Sequence, residues 1–91
     1  IYVELFEDVS FRLAPIDEIE AEEMLKETKG YKILTGYRGM PKGDVEGVKK
    51  LLVTVSRIMA ERDDILEHDL NPVRVFPDRV VVLDAKIITR G

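Results

Sequence analysis

The run Leu66-Glu67-His68-Asp69-Leu70-Asn71-Pro72-Val73-Arg74-Val75 meets a second run, Val80-Val81-Val82-Leu83-Asp84-Ala85-Lys86-Ile87-Ile88, across Phe76-Pro77-Asp78-Arg79. Two strand-like runs on either side of a Pro-Asp step read as an antiparallel hairpin. Proline at the first central position has its φ fixed negative, which suits a type I turn and excludes a type I′ turn. Phe76 to Arg79 are therefore expected to form a four-residue loop, with Val75 facing Val80. Counting back in that register sets Asn71 opposite Asp84 and Asp69 opposite Lys86. Directly opposite residues have Cβ atoms roughly 5 Å apart on one face, near enough for two side chains to share one small cation.

Strand alternation assigns Val81, Leu83, Ala85 and Ile87 to one apolar face, with Asp84 and Lys86 on the other. On the first strand Asp69 and Asn71 share a side, while Leu66, His68 and Leu70 point away. Asp, Asn and Pro are all depleted in strands, so this cluster points to a site at the sheet surface. Spacing alone leaves a second reading open, a solvated outer face with one cross-strand salt bridge. A bulge at Pro72 would shift the register by one and separate Asn71 from Asp84.

A chain of 91 residues makes one domain with a modest core, residues 1–91. It is 45% hydrophobic and 35% charged, which excludes a disordered chain. A net charge of −4 without a basic cluster argues against nucleic acid and against an anionic membrane surface as partners. Without cysteine there is neither a disulfide framework nor a thiolate metal site. No long apolar run and no signal peptide are present, so the expected location is cytoplasmic. The chain opens on Ile1 inside a strand-like run and reads as part of a longer polypeptide.

Ile1 to Leu13 alternates apolar and charged residues and predicts one long strand or two short ones, broken near Glu7-Asp8, with Arg12 on its wet side and Glu4 open to a functional role. Asp17 is placed as an N-cap with Glu20 in the capping-box position, and Ile16 as a staple onto Ala21; Lys26, Lys29 and Gly30 are expected to close that helix. Tyr31 to Gly43 predicts an irregular connection pinned by Leu34 and Tyr37. Within it Arg38, flanked by Gly36 and Gly39, is a candidate phosphate contact at the start of a helix. Asp44 then caps a second helix reaching about Arg62, with Val48, Leu51, Leu52, Val55, Ile58 and Met59 on one stripe. The order strand(s), helix, helix, strand, strand predicts an α+β fold: a small antiparallel sheet with two helices on one face and the other face free.

Four motifs in this order resemble one family: Tyr-Val-Glu-x-x-x-Asp-Val-x-Phe-Arg-Leu-Ala-Pro (Tyr2 to Pro15), Gly-Tyr-Arg-Gly-x-Pro-x-x-Asp (Gly36 to Asp44), Glu-x-Asp-Leu-Asn-Pro-Val (Glu67 to Val73) and Val-Leu-Asp-Ala-Lys (Val82 to Lys86). The chain resembles the ATP-grasp domain of ADP-forming acetyl-CoA (acyl-CoA) synthetases, relatives of the succinyl-CoA synthetase β subunit. The resemblance implies the C-terminal subdomain of an ATP-grasp fold and a ligase reaction, in which acyl-CoA, ADP and phosphate give acid, CoA and ATP through a phosphohistidine. It implies ATP or ADP and Mg²⁺ as cofactors, and a CoA-binding subunit or domain of the same synthetase as partner, in a hetero- or homo-oligomer.

The resemblance further implies that Asn71 and Asp84 hold the Mg²⁺, the two residues that register counting pairs. Asp69 stands where relatives carry Glu and is a third candidate ligand, opposite Lys86. Arg38 and Glu4 are candidate nucleotide-binding residues, with no catalytic side chain assigned. His68, the only histidine, has the wrong parity for the phosphoryl acceptor and reads as a structural residue. Because the adenine-clasping subdomain is not among these residues, the chain alone is expected to be inactive. A degenerate, non-catalytic ATP-grasp module with a packing or regulatory role is the alternative, against which the intact Asn71/Asp84 pair argues.

Overall fold

A computed structural model of the chain describes residue 10, residues 12–39 and residues 41–90. The strand expected over Ile1 to Leu13, with Glu4, therefore lies almost wholly outside the described residues; Ser10, Arg12 and Leu13 are not in a strand. The first helix, α1 (Glu18–Glu27), starts where the capping chemistry places it: the Asp17 carboxylate accepts from the Glu20 amide at 2.8 Å. Ile16 and Ala21 are both buried, as a staple requires. Thr28 ends the helix, its amide and hydroxyl both donating to the Leu25 carbonyl at 3.0 and 2.6 Å. Arg12 forks onto the Glu27 carboxylate, which also accepts from the Ser10 hydroxyl at 2.6 Å. The guanidinium first, and then the hydroxyl, hold Glu27 down to about 2 from its ordinary 4.5.

The segment expected to be irregular is more ordered than that. Gly30 does not close α1; it opens a short helix, α2 (Gly30–Leu34), and a 3₁₀ turn follows at Tyr37–Gly39. Within that turn Arg38 takes a left-handed conformation (φ 55°, ψ 46°) between Gly36 (φ 98°) and Gly39 (φ 75°). The Leu34 carbonyl accepts from the Gly43 amide at 2.8 Å, and the Leu34 side chain turns to the core side beside Leu51 and Val75. The Tyr37 side chain, expected to pin the connection with it, lies outside the described residues. The long helix α3 (Val45–Glu61) begins at Asp44, whose side chain accepts from the Gly47 amide at 2.9 Å. Its apolar stripe from Val48 to Met59 is half-buried against α1 and the strands.

The hairpin divides into four short strands: β1 (Ile65–Leu70), β2 (Val73–Val75), β3 (Val80–Val82) and β4 (Ala85–Thr89). β1 pairs with β4 and β2 with β3, both antiparallel, as two consecutive two-stranded ladders. Val75 faces Val80 and Asp69 faces Lys86, so one register runs from the turn as far as Glu67 opposite Ile88. Between the two ladders the Asn71 amide donates to the Asp84 carbonyl at 3.1 Å, and the Leu83 amide to the Pro72 carbonyl at 3.0 Å.

Two face assignments differ from simple alternation. The first is at Leu66, where a bulge between Ile65 and Glu67 leaves Leu66 54% exposed and turns Ile65 into the core. The bulge that would have broken the Asn71–Asp84 pairing thus falls at the far end of β1. The second is at the junction. His68 and Leu70 face the helices, but beyond Pro72 it is Val73 and Val75 that do so, together with Val80 and Val82 rather than Val81 and Leu83. Both strands change parity at the same step, so the pairing survives while the helix-facing set shifts by one.

The junction of α3 with β3 is tight. A Cβ built on Gly47 would lie 2.4 Å from the Asp44 carboxylate and 2.9 Å from a Val80 methyl. Gly47→Ala is therefore expected to destabilise the fold by about 1–3 kcal/mol through overpacking. Denaturant unfolding checks this, and an alanine variant as stable as the parent would contradict the packing described.

Candidate functional site

β1 and β4 present Asp69 and Lys86 directly opposite each other on the face away from the helices. One step further along the hairpin, Asn71 stands opposite Asp84, held there by the Asn71 amide on the Asp84 carbonyl. All four residues are exposed. The cross-strand salt bridge of the alternative reading, between Asp69 and Lys86, does not form: among the described residues neither side chain makes an ion pair. Asn71, Asp84 and Asp69 thus offer one amide and two carboxylates on a hydrogen-bonded hairpin, exposed to solvent.

That donor set suits a hard, oxygen-seeking cation. Among the described residues no three His, Cys, Asp or Glu side chains converge into a cage able to hold an ion by themselves. Mg²⁺ seldom needs such a cage, since it is held by one or two protein oxygens with water and phosphate completing the shell. Asn71 and Asp84 fit that demand, and Asp69 lies two residues from Asn71 on the same strand.

The other candidates lie elsewhere. Arg38 is not at a helix start, as the sequence suggested; it is exposed in the 3₁₀ turn, six residues before the Asp44 cap. Glu4 lies outside the described residues. His68 faces the helices, where it helps line a cavity of about 430 Å³ with Leu25, Leu51, Leu52, Val55 and Leu70. Its Nδ1 is buried and has no hydrogen-bond partner among the described residues. An imidazole turned into an apolar cavity is out of reach of anything bound on the Asn71/Asp84 face.

A two-helix layer on a small antiparallel hairpin, with an amide and a carboxylate opposed on its open face, is the arrangement expected for the later part of a nucleotide-binding grasp domain. A family profile described as an ATP-grasp domain matches residues 1–89, and the chain belongs to that family. It is 44% identical over 88 residues to acetate–CoA ligase [ADP-forming] I of Archaeoglobus fulgidus, covering 97% of this chain and 13% of that protein. It is 44% identical to the beta subunit of acetate–CoA ligase [ADP-forming] II of Pyrococcus furiosus, covering 100% of this chain and 40% of the subunit. Among solved structures, the Ca. Korarchaeum cryptofilum dinucleotide-forming acetyl-coenzyme A synthetase 1, in complex with coenzyme A and Mg-AMPPCP, matches at a TM-score of 0.90 and 52% identity. That match covers 93% of this chain and 40% of that one. The chain therefore spans well under half the length of these relatives.

Leaving a buried polar atom without a partner costs about 1–3 kcal/mol. His68→Leu, which fills the same apolar surroundings, is accordingly expected to be neutral or to stabilise by about 1 kcal/mol. Equilibrium unfolding checks this; a clear loss of stability would mean that the imidazole holds a partner.

Proposed function

We propose that this chain is the Mg²⁺- and nucleotide-phosphate-binding portion of an ADP-forming acyl-CoA synthetase, residues 1–91 forming the C-terminal part of its ATP-grasp domain. The observation that carries the reading is the opposition of Asn71 and Asp84 across one hairpin step, in a chain of this family. The reaction is acyl-CoA, ADP and phosphate to acid, CoA and ATP, by way of a phosphohistidine carried on another segment. The Korarchaeum structure, whose phosphohistidine segment points towards its nucleotide-binding site, supports that division of labour. His68, turned into the helix side, is not the phosphoryl carrier.

Asn71 would supply an amide oxygen and Asp84 a carboxylate to the cation, with Asp69 a shorter arm beside them. Held by these residues, Mg²⁺ would supply charge neutralisation on the phosphates, the term from which phosphoryl transfer gains most. The residues themselves orient and hold: a hairpin backbone fixes both ligands, so no loop has to close to bring them together. Arg38, on its left-handed turn, and Glu4 are the further nucleotide contacts in this reading.

The partners follow from the same assignment: a CoA-binding subunit or domain of the synthetase, in a hetero- or homo-oligomer, in the cytoplasm. The beta-subunit naming of the Pyrococcus relative supports such a division. Among the described residues no helix is long and apolar enough to cross a membrane.

In the full synthetase, Asp84→Ala is expected to lower ATP formation about 10²–10³-fold. Folding should change by less than about 0.5 kcal/mol, because the side chain is exposed. Asn71→Ala should cost less, since an amide is the weaker ligand, and His68→Asn should spare turnover. An assay of ATP formed from acetyl-CoA, ADP and phosphate across a Mg²⁺ titration decides the matter. Wild-type turnover and Mg²⁺ dependence in Asp84→Ala would refute the assignment.

A further inference from the structure

The open face of the hairpin carries two cations as well as its ligand oxygens. Lys86 lies two residues from Asp84 on the same side of the second strand, roughly 7 Å along it. Arg74 lies three residues beyond Asn71, past the Pro72 break and within β2. It is set opposite Val81 and on the other side from Val73 and Val75, which face the helices. Without the parity change at Pro72, Arg74 would point into the helix layer. Both cations are exposed, and neither makes an ion pair or a side-chain hydrogen bond among the described residues. Asp69 stands directly opposite Lys86 and still does not take it. Arg12 pairs with Glu27, Lys49 with Glu46 and Arg62 with Asp64, whereas Lys32, Lys42, Lys50 and Arg57 make no ion pair among the described residues. It is their place beside Asn71 and Asp84 that singles out Arg74 and Lys86.

We infer that Arg74 and Lys86 are anion contacts that bracket the Asn71–Asp84 step and receive the phosphate chain of a metal-bound di- or triphosphate. The inference rests on the reading of Asn71 and Asp84 as the cation's ligands. A metal-bound phosphate chain carries excess negative charge beyond its cation, and long basic side chains on either side can close on its outer oxygens. Arg matches a phosphate with a planar fork, and Lys with a mobile point charge. These residues bind and orient the anion without touching a transferred proton, so they are positioning residues.

The test uses the ¹⁵N-labelled chain, Mn²⁺ alone, and pyrophosphate in excess Mg²⁺, read by amide NMR rather than by turnover. Mn²⁺ is expected to broaden amides around Asn71 and Asp84 in the wild type and equally in the R74Q/K86Q double variant. Pyrophosphate with Mg²⁺ should shift amides across residues 69–74 and 84–86 saturably, and the double variant should bind it about tenfold more weakly. A double variant that binds pyrophosphate as the wild type does would overturn the inference while leaving the metal reading intact. So would the lack of saturable pyrophosphate shifts in a wild type that does bind Mn²⁺. Mn²⁺ broadening centred away from Asn71 and Asp84 would instead overturn the metal reading, and the inference with it.

Discussion

Pro72 sits where an antiparallel ladder needs a donor, and it has no N–H to give. The chain meets this by using the groups on either side: the Asn71 amide donates to the Asp84 carbonyl, and the Pro72 carbonyl accepts from the Leu83 amide. The two bonds carry the register across the break while both strands change face together. Everything on the hairpin follows from that step. Ile65, His68 and Leu70 before it, and Val73, Val75, Val80 and Val82 beyond it, turn to the helices. Asn71 and Asp84 are left on the open side.

A hairpin alone is marginally stable, and this one is fastened at its turn. The Phe76 carbonyl accepts from the Asp44 amide at 2.8 Å, so the loop that joins β2 to β3 is tied to the residue that caps α3. Gly43 and Gly47 let Val75 and Val80 come within contact of that helix start. At the other end of the helix layer, the Ser56 hydroxyl accepts from the Ile16 amide and ties α3 to the start of α1. Asn71 and Asp84 are therefore carried on strands whose opposite sides are fixed. This is the kind of support that a phosphate-handling site needs, because small displacements of its ligands cost rate steeply.

Much of this was legible from residue chemistry. Pro77-Asp78 fixed the loop, and counting back from Val75 opposite Val80 reached the observed register, because backbone pairing advances one for one whatever the side chains do. Asp17 and Asp44 announced both main helices. What could not be counted was the pleat. Alternation assumes an unbroken strand, and the parity change at Pro72 and the bulge at Leu66 each displace the apolar set by one without changing the composition. Ile65 and Leu66 are equally apolar, so only tertiary packing decides which is buried. The helix Gly30–Leu34 was hidden for another reason: its flanking glycines signal irregularity, and five residues are too few to show a period. The missing Asp69–Lys86 ion pair was beyond sequence reasoning, which fixes who stands opposite whom but not where an exposed side chain rests.

Asn71 and Asp84 face each other across one hairpin step, and a scalar coupling across the hydrogen bond between them reads that opposition. In ¹³C,¹⁵N-labelled protein, the Asn71 amide nitrogen should couple to the Asp84 carbonyl carbon, and the Leu83 amide nitrogen to the Pro72 carbonyl carbon. Coupling of the Asn71 nitrogen to Leu83 or Ala85 instead would show the strands slipped by one residue, leaving Asn71 without a carboxylate opposite and ruling out a cation shared between Asn71 and Asp84.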